Sequence, residues 1–164
     1  MKKVLIAMDG SKESLFALKQ YVEKIHDHDK HVTAVYCVHY SITDPEGEQF
    51  SSFISIGGEL IITAKDAENV KAMMQKDEAC ITSVLDKVQT LLTENQVIGE
   101  VIRLEGKPEV AIISKAEEIS ASLIVMGSRG LGTIRRTILG SVSEFILHHS
   151  HIPVMICRMG CDSV

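Results

Sequence analysis

A chain of 164 residues, 45% apolar and 24% charged, has the make-up of a single globular domain that buries enough surface to fold without a disulfide or metal staple. With a net charge of −5, 4% aromatics and no tryptophan, it has neither the basic face nor the stacking platform that nucleic-acid binders use, which excludes nucleic acid as a partner. Four cysteines (Cys37, Cys80, Cys157, Cys161) show no CxxC spacing, and no apolar run approaches the roughly 20 residues that cross a bilayer, so the expectation is a soluble, cytoplasmic protein with reduced thiols and no membrane contact.

The apolar run Val4–Met8 predicts a first strand, and it stops at Asp9, too soon for the core of a secretion signal. Ser11 then caps a helix with Glu13 in its first turn, and Leu15, Leu18, Val22 and Ile25 share one face. Val32–Val38 predicts a second strand. The stretch from His39 to Gly58, with a turn at Asp44-Pro45-Glu46-Gly47, fits no element; loops this long are functional lids or disordered, and the sequence does not choose between them. Glu59 to Asn95 is charged and amphipathic and predicts helix, continuous or broken.

Val97–Leu104 predicts a third strand, and Gly106-Lys107-Pro108 opens a helix with proline in the first turn, where its missing N–H costs nothing. Leu123–Met126 is a fourth strand. Ser141-Val142-Ser143-Glu144 opens a last helix in capping-box form, and Val154–Cys157 is a fifth strand. Near-continuous Val, Ile and Leu in most of these strands implies a sheet covered on both faces. The expected fold is α/β: an open, doubly wound, mainly parallel five-stranded sheet, Rossmann-like, with helices on both faces and one domain over residues 1–164. Ligands of such sheets lie beyond the carboxyl ends of the strands where the winding reverses, which points to Asp9, Val38–His39 and Gly127.

The segment Gly127-Ser128-Arg129-Gly130-Leu131-Gly132-Thr133-Ile134-Arg135-Arg136-Thr137-Ile138-Leu139-Gly140-Ser141 holds three arginines and no acid in an acidic protein. Glycines let a phosphate approach backbone N–H groups, and a helix start at Ser141 offers unpaired N–H groups and a positive dipole end. The same glycines serve equally well as turn residues, and Ser141 with Glu144 makes a cap that needs no ligand. On chemistry alone both readings stand.

Gly127-x2-Gly130-x9-Gly140-Ser141 matches the G-x2-G-x9-G-(S/T) nucleotide motif of ATP-binding universal stress proteins. The opening Lys3–Ser11 and the closing Ser150–Ile156 also resemble that family, and the resemblance covers essentially the whole chain, least in the middle. It implies an adenine nucleotide alpha hydrolase-like variant of the fold, ATP as ligand with Mg²⁺ completed largely from solvent, a homodimer paired through Val154–Cys157, and a regulatory role in stress response. By that resemblance Asp9 sits beside the nucleoside, with Ala7 just before it on the same strand. Val38 packs near the adenine. Met126 and Gly127 line the strand end, while Gly130 and Gly140 bring backbone amides to ribose and phosphates. Ser141, Val142 and Ser143 cradle the terminal phosphates. Arg129 is a candidate phosphate partner, as is Arg135; both are equally well read as solvated, and Arg136 is read as solvated.

Three functions remain to be weighed. A nucleotide-dependent regulator fits the resemblance. A slow ATPase or phosphotransferase would need a base near the γ-phosphate, where only Asp9 and Glu144 are available, and the chain has no Walker A lysine. An interaction module without nucleotide would use the glycines for turns alone. The histidines His148, His149 and His151 lack an acidic or thiol partner at metal-site spacing, and a helix C-terminus explains them.

Overall fold

The computed structural model describes residues 1–38, 55–56, 59–60, 64–128 and 139–159. In chain order its elements are β1 (Lys2–Met8), α1 (Lys12–Lys24), β2 (Lys30–Val38), β3 (Ser55–Ile56), β4 (Glu59–Leu60), α2 (Ala64–Glu94), β5 (Gly99–Glu105), α3 (Pro108–Glu118), β6 (Leu123–Gly127), α4 (Ser141–His149) and β7 (Val154–Cys157). The chain divides into two compact units, Met1–His39 with Val84–Val164, and Tyr40–Ser83.

The first unit carries a five-stranded sheet in the order β5-β2-β1-β6-β7. Every pairing in it is parallel, so the predicted doubly wound α/β sheet is the fold observed. β1 is central. The chain builds outward from it through β2 and β5, then returns to its other side for β6 and β7, so the winding reverses between β1 and β6. All five residues Val4–Met8 are buried, as a strand covered on both faces requires. Val4, Ile6 and Met8 pack with Ala17, Leu18 and Tyr21 of α1 and Val88 and Leu92 of α2; Leu5 and Ala7 pack with Ile112 and Ala116 of α3 and Ile146 of α4.

The second unit corrects the sequence reading. Within the stretch assigned to no element, Ser55–Ile56 is a strand, and Glu59–Leu60, expected to begin a helix, is its antiparallel partner (Ser55↔Leu60, Ile56↔Glu59). The missed signal was Gly57-Gly58, a residue pair that two-residue hairpin connections favour. The helix that follows starts at Ala64 and runs unbroken to Glu94.

The buried stripe of α1 also differs from expectation. Ser14, Ala17, Leu18 and Tyr21 are buried, Leu15 and Val22 are only partly so, and Ile25 is the exposed C-cap. Small residues at 14 and 17 let the helix backbone lie close to the sheet: the Cys157 thiol is 4.0 Å from the Ala17 carbonyl. Tyr21 is fully buried and its hydroxyl lies 3.4 Å from His26 Nδ1. Burial, with Asp27 and Asp29 adding, pushes its phenol from 10.0 up to about 12. The raised value means that its contribution is complete below pH 10 and lost as pH rises through 12, at about 1.4 kcal/mol per pH unit between the two values. Urea unfolding at pH 8, 10 and 11.5 should therefore show stability falling across the last interval, with a smaller fall in Tyr21→Phe. An equal fall in both proteins would remove Tyr21 as the cause.

Candidate functional site

The carboxyl ends of β1 and β6 face the point where the winding reverses, and two helices begin there. β1 leads through Asp9 and Gly10 into α1. Gly10 has φ +81°, a left-handed turn that glycine makes without strain. Ser11 is the N-cap: its hydroxyl accepts the Ser14 N–H (3.1 Å) and donates to Asp9 Oδ1 (2.6 Å), and the Ser11 N–H donates to that same oxygen (3.0 Å). Asp9 thus stands at the strand end with one carboxylate oxygen committed to orienting the start of α1.

β6 ends in Gly127, and its neighbours explain the glycine. A Cβ there would lie 2.9 Å from the Glu13 carbonyl carbon and 3.0 Å from its oxygen, so the first turn of α1 passes directly over this position. Ser128 follows, buried, and three hydrogen bonds tie the surrounding ends together. Its N–H donates to the Cys157 carbonyl at the end of β7 (2.9 Å), its carbonyl accepts the Gly140 N–H (2.8 Å), and the buried Ser143 hydroxyl donates to the Gly127 carbonyl (2.9 Å).

The expected capping box is not formed. Gly140, not Ser141, is the N-cap of α4, and among the described residues no side chain caps this helix. The Gly140 carbonyl already accepts the Glu144 N–H, which makes Ser141 the first helical residue and leaves Glu144 at the fourth helical position, one too late to reach back as a box requires. Ser141 is exposed, and the first-turn N–H groups of α4 have no partner within the helix. Glu144 is exposed in the same turn.

Of the residues named from sequence, Asp9, Gly127, Gly140, Ser141, Val142 and Ser143 belong to this end of the sheet. Ala7 and Met126 are buried in the core beneath α3 and α4, with Val142 packed against the same cluster. Val38 closes β2, two strands from β6, in register with Glu105. Arg129, Gly130, Gly132, Arg135, Arg136 and Cys161 lie outside the described residues. Sequence reasoning missed Ser128 and the Glu13 backbone; both act through main-chain atoms, which leave no residue-type signal.

Elsewhere, a surface cavity of about 240 Å³ opens at the opposite, amino end of the strands, lined by Lys3, His31, Thr33 and Glu100 among others, and none of the predicted site residues reaches it. Burial, with Glu109 adding, pushes the Cys37 thiol up to about 11, and burial raises that of Cys157, so both stay protonated at neutral pH. His149 Nδ1 lies 2.8 Å from the Phe145 carbonyl of its own helix, and the ring stacks on Phe145. Among the described residues no helix is long and apolar enough to cross a membrane.

Comparison with known proteins agrees with this architecture. Residues 1–158 match the model of the universal stress protein family. The stress response protein NhaX of Bacillus subtilis (strain 168) is 32% identical, over 95% of this chain and 97% of its own length. Among solved structures, an Arabidopsis thaliana universal stress protein family protein with AMP bound superposes with a TM-score of 0.64 at 20% identity, covering 99% of this chain and 94% of its own. A universal stress protein in complex with cAMP gives 0.63 at 20% identity, covering 96% of each chain. The chain belongs to the universal stress protein family.

Proposed function

We propose that this protein binds an adenine nucleotide, ATP with Mg²⁺, at the crevice between the ends of β1 and β6, and that the bound nucleotide sets its state as a regulator in stress response. The observation that carries this reading is the bare start of α4. A helix that no side chain caps among the described residues begins at the carboxyl end of a parallel sheet, at the reversal of its winding, behind the Gly127-x2-Gly130-x9-Gly140-Ser141 spacing. N–H groups with no partner inside the helix and the positive helix end suit a phosphate. Two structural relatives carry AMP and cAMP, which supports an adenine nucleotide as the ligand class.

In this reading Asp9 contacts the nucleoside, with Ala7, Val38 and Met126 beside it. Arg129 and the Gly130 amide reach ribose and phosphates, Gly140, whose N–H is bonded to the Ser128 carbonyl, allows their close approach, and Ser141 to Ser143 hold the terminal phosphates. The whole chain acts as one domain. Among the described residues β7 is an edge strand, short and apolar, which suits pairing with a second copy.

The test is calorimetric titration of nucleotide-free protein with Mg·ATP, AMP, cAMP and adenosine, with phosphate release followed in the ATP sample. The expected result is saturable binding of ATP near one per chain with negligible release. Steady turnover would move the assignment to an ATPase, and no heat at millimolar nucleotide would overturn the nucleotide reading.

A further inference from the structure

The hydroxyl of Ser143 is spent inside the protein. Ser143 is 5% exposed, and its hydroxyl donates to the Gly127 carbonyl at 2.9 Å across sixteen residues of sequence. This bond joins the last residue of β6 to the first turn of α4. With Gly140 N–H to Ser128 carbonyl at 2.8 Å, it closes the glycine segment at its base with two bonds, one from main chain and one from a side chain.

A carbonyl at a strand end can be satisfied by water, so a buried serine is not needed simply to occupy it. The bond does something water cannot: it fixes how far, and at what angle, the start of α4 stands from the end of β6. The N–H groups of that first turn are carried by the same residues, 141 to 143. Their aim is therefore tied to the Ser143 hydroxyl, although that hydroxyl points away from them into the core.

We propose that Ser143 is a positioning residue. It acts on the phosphates of a bound nucleotide through the placement of the α4 amides rather than by direct side-chain contact. This rests on the nucleotide reading above and deepens it by separating two serines of one turn. Ser141 is exposed at the helix start and free to touch ligand, whereas Ser143 sets the frame in which it does so.

The experiment compares ATP and adenosine binding in wild type and Ser143→Ala by calorimetry, with urea unfolding of both proteins. The two ligands share the nucleoside and differ in the phosphates, so the ratio of their affinities isolates the phosphate-dependent part. A uniform loss of structure would not change that ratio. In Ser143→Ala the ATP-to-adenosine ratio is expected to fall about tenfold while adenosine affinity changes by less than about twofold, the scale of one well-placed hydrogen bond. Ser143→Cys, which fills the same space with a weak donor, carries the same test should the alanine variant not fold. An unchanged ratio, or equal losses for both ligands, overturns the positioning role while leaving nucleotide binding intact. Wild-type protein that binds neither ligand overturns the nucleotide reading itself, and the inference with it.

Discussion

Gly127→Ala is expected to destabilise the fold by about 1–3 kcal/mol, a fall in Tm of about 2–12 °C for a chain of this size. The added carbon would meet the Glu13 main chain at 2.9 and 3.0 Å and Glu13 Cβ at 3.1 Å. No rotamer change relieves a clash with backbone. The first turn of α1 would have to lift, and it is held by the Asp9–Ser11–Ser14 bonds and by Ala17, Leu18 and Tyr21 in the core. Thermal unfolding checks the prediction. A Tm within about a degree of wild type would mean that α1 shifts freely, and Gly127 would then be needed only for close approach of a ligand.

Ser141→Glu should act in opposite directions on stability and on nucleotide binding. Residue 141 is exposed in the first turn of a helix whose N-cap is a glycine, and a carboxylate there is favourable by about 0.3–1 kcal/mol. The same charge would occupy the position expected of the terminal phosphates. Two like charges about 5 Å apart repel by roughly 1–3 kcal/mol for effective dielectric constants between water and a protein surface, so ATP should bind about ten- to a hundredfold more weakly. Adenosine, without phosphates, should bind as to wild type. Calorimetry with both ligands and a urea melt decide the matter. A variant that is more stable and binds ATP normally would remove the start of α4 as the phosphate site.

The sheet was legible because its strands are unusually pure. Val4–Met8 and Leu123–Met126 are runs with no polar residue, which only a two-faced burial explains, and the strand–helix alternation then leaves little choice of topology. Hairpin β3–β4 was not legible: two residues per strand are too few to show a period, and only the glycine pair marked it. At the site, the glycine spacing pointed to the right end of the sheet but not to the job of each residue. Gly127 was expected for a ligand and is already required by the backbone of Glu13. Ser141 and Glu144 have the residue types of a capping box, yet the cap is Gly140, because the bond from Gly140 N–H to the Ser128 carbonyl fixes where the turn begins. Such main-chain bonds between residues distant in sequence do not depend on residue type and leave no trace in it.

The position of β1 bears on how the molecule assembles. β1 pairs with β2 through Lys2↔Lys30 to Met8↔Tyr36, but its other edge waits for β6, where Val4 meets Leu123. Closing a loop of that length costs entropy before any contact compensates, and parallel pairing at such separation is slow. The half-sheet β5-β2-β1 can form from earlier parts of the chain, whereas the strand-end junction beside Asp9 exists only once β6 has docked. Refolding followed by far-ultraviolet dichroism should therefore run ahead of the recovery of any signal from the β1–β6 junction, and a ligand seated there would act on the last step of folding, slowing undocking of β6 and β7 more than it speeds collapse.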